Sequence, residues 1–129
     1  MVKLTKNFSK SEFECKCGCE MPEDVFLNIQ KLANQLQVLR NFIDLPIALT
    51  NAYRCPEHNA AIGSEPSSQH ILGKAADIKI KTKSPEQIYI LLDILTEYGN
   101  ILQGGLGLYN TFVHYDIRKT RARWDKSDK

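Results

Sequence analysis

The amino-acid sequence predicts an α+β fold, a small antiparallel sheet with helices packed on one face. Three observations carry that prediction. From Pro22 to about Ile43, the residues Phe26, Ile29, Leu32, Ala33, Leu36, Leu39 and Ile43 recur at spacings of three and four, the pattern of a helix with one buried stripe. Ser84-Pro85-Glu86-Gln87 opens a second helix with a capping serine, a first-turn proline and a capping box together. The runs that read as strands are short and grouped, not strictly alternating with helices, which favours antiparallel pairing.

The elements follow in order. Residues 1–20 read as an irregular opening segment, in which Ser9-Lys10-Ser11-Glu12 fits a capping box and starts a short helical turn. Pro46 stops the first long helix. Ile47 to Arg54 reads as a strand, Pro56 to about Gly63 as a short helix, and 63–73 as a long polar loop. Ala75 to Ile80 is the next strand. Ile88, Leu91, Leu92, Leu95 and Tyr98 form the buried stripe of the second long helix, which Gly99 ends. Two strands, one over Gly104 to Tyr109 and one from Phe112 to Ile117, are joined at Asn110-Thr111. Residues 118–129 read as a basic tail, either solvated or suited to an anionic surface.

The 129 residues amount to one domain. Apolar residues at 43% and charged residues at 25% are those of a folded globular chain, which excludes disorder for the bulk of it. A formal charge of +2 is too small to argue for nucleic acid. No stretch reaches the ~20 apolar residues of a membrane span. Met1 to Phe8 holds no apolar signal core and no cleavage site, so synthesis in the cytoplasm without a signal peptide is expected. A monomer is expected.

The chemistry concentrates on strand faces. Along 75–80, Ala76, Ile78 and Ile80 point one way and Asp77 the other. Along 112–117, Val113, Tyr115 and Ile117 share one face, and Phe112, His114 and Asp116 the opposite one. With the apolar set on the helices, Asp77, His114 and Asp116 project from the other side of the sheet. His70 lies seven residues before Asp77, and Gly73 lets the loop turn so that His70 returns over it. Two imidazoles and a carboxylate form a three-ligand set with a fourth position open for water, as in catalytic zinc sites. A single histidine is more often a hydrogen-bonded core or surface residue, so spacing alone leaves coincidence as a competitor.

Longer motifs weigh against coincidence. Ser68-Gln69-His70-Ile71-Leu72-Gly73-Lys74-Ala75-Ala76-Asp77 resembles the S-x-H-x-x-G-x-A-x-D motif of the zinc D-Ala-D-Ala carboxypeptidase family, whose metal-site fold is shared with lysostaphin-type peptidases and the Hedgehog signalling domain. Thr50 to Asn59 looks like that family's S-G-Y-R-C-P-x-H-N segment. Gly105-Leu106-Gly107-Leu108-Tyr109 resembles its G-x-G-x-Y element, and Phe112-Val113-His114-Tyr115-Asp116 its F-V-H-x-D element. Arg121-Ala122-Arg123-Trp124 resembles the end of phage-type and periplasmic members. The likeness spans about residues 7–124.

This resemblance implies a metallopeptidase that cleaves amide bonds in peptidoglycan stem peptides or cross-links. It implies His70, Asp77 and His114 as ligands of Zn²⁺, Arg54 as the group that binds a substrate carbonyl or carboxylate, and Ser68 and Tyr109 as substrate contacts. A guanidinium fork suits oxygen pairs; the structural alternative for Arg54 is an ion pair with Asp116 or Glu57. His58 is expected to cap or pack the short helix. Several family members carry Glu or Asp three residues before the last histidine as general base, and that position here is Thr111. Asp116 is then either the substitute base or a partner that orients a ligand. Without a signal peptide, action on the cell wall requires release, as in phage lysis, or a place in the virion. The competing functions are a catalytically inactive zinc-containing module that binds cell-wall peptide and a structural component of a phage particle.

Cys15, Cys17 and Cys19 form C-x-C-x-C, and Cys55 follows Arg54. Free thiols, disulfides and a second, structural zinc site are all open to this set. C-x-C spacing is unusual for zinc, where C-x₂₋₄-C is the norm, and the expectation is a disulfide joining Cys55 to the N-terminal cluster.

Overall fold

The computed structural model describes residues 2–128. Five strands form one sheet in the order β1-β2-β4-β3-β5: β1 (Ala48–Asn51), β2 (Ala75–Lys79), β3 (Gly105–Leu108), β4 (Val113–Asp116) and β5 (Ala122–Asp125). The helices are α1 (Glu23–Ile43), α2 (Pro56–Ala61) and α3 (Pro85–Glu97), and a 3₁₀ turn covers Lys10–Phe13. The class is α+β, as the grouping of strands predicts. Among the described residues, no helix is long and apolar enough to cross a membrane.

The core fills the space between α1, α3 and one face of the sheet. Ile29, Leu32, Leu36 and Leu39 of α1 meet Ile88, Leu92 and Leu95 of α3 and the inward residues Ala76, Ile78, Leu106, Val113 and Tyr115. Both capping boxes form: Ser9 with Glu12 at the 3₁₀ turn, and Ser84 with Gln87 at α3. Four stripe positions are less buried than expected: Phe26, Ile43 and Leu91 are half-buried and Tyr98 is exposed. Val25 is buried where Phe26 is only half-buried, because the first turn of α1 leans its valine onto Gly73. Tyr98 is 81% exposed, because α3 ends at Glu97 and Tyr98 lies beyond the last turn that faces the sheet.

The first strand, expected over Ile47 to Arg54, covers only Ala48–Asn51. Pairing with β2 slips between Leu49 and Asn51, and the chain leaves the sheet there. Residues 52–55 continue as an extended strap, tied by Tyr53 N–H to the Phe13 carbonyl and by Arg54 N–H to the His70 carbonyl.

The basic tail is the main correction. Residues 122–125 form β5, which pairs with β3 in parallel, the one parallel edge of an otherwise antiparallel sheet. Side chains hold it there. Arg123 reaches the helix side, donating to Asp93 (2.9 Å), to the Gly104 carbonyl (2.7 Å), to Thr96 (3.0 Å) and to Gln103. Trp124 turns to the other side and lies on the backbone of Gly107, with its indole N–H donating to the Tyr109 hydroxyl at 3.0 Å. A Cβ at position 107 would sit 2.2 Å from the indole nitrogen, so only glycine admits the ring. Gly107→Ala is therefore expected to displace Trp124 and destabilise the protein by ~1–3 kcal/mol. Thermal unfolding and the fluorescence of this single tryptophan measure both effects; an unshifted emission spectrum with unchanged stability would place β5 elsewhere.

Candidate metal centre

The antiparallel register of β2 and β4 sets Asp77 directly opposite His114. Both project from the face turned away from the helices, as strand alternation predicts. His70 enters from the preceding loop. The turn back is made at Gly73, whose φ of +73° only glycine adopts without strain and whose missing Cβ leaves room for Val25. His70 Nε2 and His114 Nδ1 lie 3.3 and 3.2 Å from the same oxygen, Asp77 Oδ1. All three residues are buried.

Hydrogen bonds decide which lone pairs face the centre. His70 Nδ1 donates to the Ala52 carbonyl at 2.7 Å, which leaves Nε2 of a neutral ring as an acceptor. His114 Nε2 donates to Asp116 Oδ2 at 2.7 Å, which leaves Nδ1 likewise. Three acceptors thus converge on one point, an arrangement that repels itself unless a cation or extra protons lie between them. Tetrahedral coordination with metal–ligand bonds of ~2.0–2.1 Å separates neighbouring donor atoms by ~3.3 Å, which is the spacing present here. Each ring is aimed by its far nitrogen, as metal-binding imidazoles are. The residues therefore fit a divalent cation with nitrogen and oxygen ligands.

The alternative to a cation is extra protons. Burial alone would raise the Asp77 pKa, yet hydrogen bonds donated by protonated His114 and His70 rings outweigh it and hold the carboxyl at about 2. Burial opposes a charged His114, but Asp116 and Asp77 on either side raise its proton affinity above the usual value. Asp116 is fully buried, and its oxygens also accept from Gly105 N–H, Arg118 N–H and both sides of the Arg118 fork. These bonds keep it ionised well below the normal range, against the effect of burial.

A cleft of ≈ 520 Å³ opens over this centre. Asn51, Arg54, Ser68, Tyr109 and Trp124 are in its wall, with His70, Asp77 and His114 at its base. Arg54 is 7% exposed, and its one hydrogen bond to a side chain goes to Ser68 Oγ at 3.4 Å. Among the described residues, its Nε–H is buried without a partner. The carboxylate pairing considered for Arg54 belongs instead to Arg118, which sits on Asp116 at 2.7 Å. Ser68 also accepts from His70 N–H at 3.2 Å, so it ties Arg54 to the ligand loop. Tyr109 and Phe112 stack at 4.5 Å on one rim. His58 stays outside the cluster, at the start of α2 with its N–H on Cys55.

Thr111 does not line the cleft; it is exposed and borders a separate hollow beside Ile47, Lys79 and Pro85. The cleft wall does contain Glu65, Arg118 and Lys126, which sequence reasoning left out. Glu65 carried a weak signal, since it falls in the polar loop five residues before His70. Arg118 and Lys126 were hidden in the segment taken for a tail.

The family follows from most of the chain. A family model described as Peptidase M15 matches residues 5–116, and the chain belongs to that family. No curated protein matched the chain. Peptidases of this family are zinc-dependent, and membership implies zinc peptidase activity.

Asp116→Asn removes the charge that fixes the His114 ring and leaves the other contacts sterically intact. It is expected to weaken zinc affinity by ~10–100-fold, with occupancy restored as zinc is added. Competitive titration against a chromophoric chelator reads this directly; unchanged affinity would show that Asp116 does not orient the ring.

Proposed function

We propose that this chain hydrolyses amide bonds in the stem peptides or cross-links of peptidoglycan, with zinc held by His70, Asp77 and His114. The observation that carries the reading is the convergence of three lone-pair donors beneath a cleft whose wall holds a buried guanidinium with an unpartnered N–H. Peptidoglycan is favoured by the ten-residue likeness around His70 and by the charge of the walls. Arg54 and Lys126 present positive groups to a substrate whose peptides carry free carboxylates.

When bound, zinc supplies a Lewis acid for the scissile carbonyl and makes water acidic enough to attack near neutral pH. The chain's own groups do the rest. Arg54 holds the substrate carboxylate or the oxyanion that develops at the carbonyl, using the Nε–H that has no partner among the described residues. Ser68 fixes the position of that fork. Tyr109 and Phe112 present an aromatic platform along the substrate backbone. Of the two roles open to Asp116, the orienting one is favoured, because its oxygens are already committed to His114, Gly105 and Arg118. Proton transfer is assigned to Glu65, the carboxylate in the cleft wall that lies outside the ligand set. Access to the wall is by release in phage lysis or from a virion.

A cell-wall-binding module without turnover is the second reading, favoured by Thr111, which cannot accept a proton and stands outside the cleft. Turbidity of purified peptidoglycan, followed with and without chelator, separates the two. Clearing that stops with chelator and returns with zinc is expected, and mass spectrometry of the released muropeptides identifies the bond. Binding without clearing on several wall types would establish the module instead.

Two substitutions test the assigned groups. Arg54→Lys should keep zinc and fold but lose ~10²–10³-fold in activity, since a lysine keeps the charge without the planar fork. Activity that merely tracks thermal stability would make Arg54 structural. Glu65→Gln should retain zinc and lower turnover by ~10²–10⁴-fold; wild-type turnover would remove Glu65 from proton transfer.

A further inference from the structure

Cys15, Cys17, Cys19 and Cys55 take no part in the cleft, yet they are gathered in one place. All four are free, with no disulfide among them, contrary to the bond expected between Cys55 and the N-terminal cluster. The sulfurs of Cys15 and Cys17 are 3.3 Å apart, those of Cys17 and Cys55 3.4 Å, and those of Cys15 and Cys55 3.8 Å. Ligand atoms of all four lie within 4.8 Å of one another. We infer a second, structural metal site, in which these four thiolates hold a zinc ion and fasten the N-terminal segment to the strap that carries Arg54.

The spacing is the first argument. Tetrahedral zinc with Zn–S bonds of ~2.3 Å separates neighbouring sulfurs by ~3.8 Å. A disulfide would bring one pair to ~2.05 Å and leave the other two sulfurs without purpose. Here the close pairs share sulfurs, so no division into two bonded couples is marked out.

Backbone geometry is the second. In an extended C-x-C-x-C segment, successive cysteines would line up on one face several ångströms apart, too far for one ion. The chain instead turns at Cys15–Gly18, where Gly18 N–H donates to the Cys15 carbonyl at 3.0 Å and Gly18 takes a φ of +84°. That turn coils the three sulfurs together, which is how a spacing uncommon among zinc sites still converges. Cys55 comes from a distant part of the sequence, as the N-cap residue of α2.

Hydrogen bonding is the third. Cys55 N–H points at Cys15 Sγ, and His58 N–H at Cys55 Sγ, both at 3.4 Å. Donors aimed at sulfur favour thiolates, and an all-thiolate tetrahedral set selects zinc over oxygen-seeking cations. With four protein ligands no position remains for substrate, so the role is structural. Its effect reaches the cleft through the strap: Ala52 accepts from His70 Nδ1, and Arg54 and Cys55 are adjacent.

The test counts metal and reads its ligands. Protein purified under reducing conditions, loaded with zinc and freed of excess, should contain about two zinc ions per chain. His70→Ala and the double variant Cys17→Ser/Cys19→Ser should each contain about one. Cobalt substituted into the wild type and into His70→Ala should give intense near-ultraviolet sulfur-to-metal charge-transfer bands, which the double variant should lack. Failure of the cleft site would remove the other ion, so the two assignments fail separately. If the double variant does not fold, the cobalt spectrum of His70→Ala, whose cysteines are intact, still decides. The inference is overturned if that protein binds no metal and shows no such band, or if the intact mass of the reduced-then-purified wild type has lost hydrogens to a disulfide.

Discussion

His114 stands between two carboxylates, and the register of β2 against β4 is what puts it there. Asp77 faces one ring nitrogen and Asp116 the other. Because side chains alternate along a strand, a slip of β4 by one residue against β2 would turn His114 and Asp116 away from Asp77 and into the apolar layer beneath α1 and α3. Burying those groups without their partners costs several kcal/mol. The same slip would bring Val113 and Tyr115, both wholly buried, into water. Core and site therefore enforce one register together, and neither is specified without the other.

The carboxylate behind His114 has consequences of its own. A fully buried, ionised Asp116 needs more than one donor, and it obtains them from the Gly105 amide and the Arg118 fork. Arg118 in turn lies 5.3 Å from the centre of the Trp124 ring, which is 5.1 Å from His114. The segment after β4 thus folds back over the site as a layer of charge and aromatic surface. The parallel edge strand β5 completes the wall of the cleft, with Arg123 anchored on the helix side and Trp124 on the site side. The carboxylate and the two imidazoles beneath favour a cation at the base of the cleft.

Much of this arrangement was legible because it rests on periodicity. The stripe of α1, the capping box of α3 and the two-residue alternation of β2 and β4 are local properties, and they suffice to put Asp77 and His114 on one face. What was not legible depends on contacts between distant segments. Residues 118–125 read as a solvated basic run because nothing nearby in sequence announces Asp93, Gly104 or Asp116 as partners. Tyr98 continues the apolar spacing of α3, but the helix ends one residue earlier. The proposed orienting role of Asp116 rests on the donors that surround it, which spacing does not contain. For the cysteines, the turn at Gly18 makes neighbours of sulfurs that an extended reading keeps apart.

The strap at 52–55 shows how a short chain holds a charged group ready. A buried guanidinium N–H without an acceptor costs about 1–3 kcal/mol in the free protein, and Arg54 carries one. The segment around it compensates: Ala52, Tyr53 and Cys55 are buried, Tyr53 N–H bonds to Phe13, and Arg54 N–H bonds to the His70 carbonyl. The ring of that same His70 donates to Ala52. Strap and ligand loop are thereby joined through both backbone and side chain, so the fork of Arg54 and the imidazole of His70 are positioned as one unit. In the proposed function, a substrate oxygen that reaches Arg54 would meet a donor already dehydrated, and part of its positioning would be done by folding and not by binding.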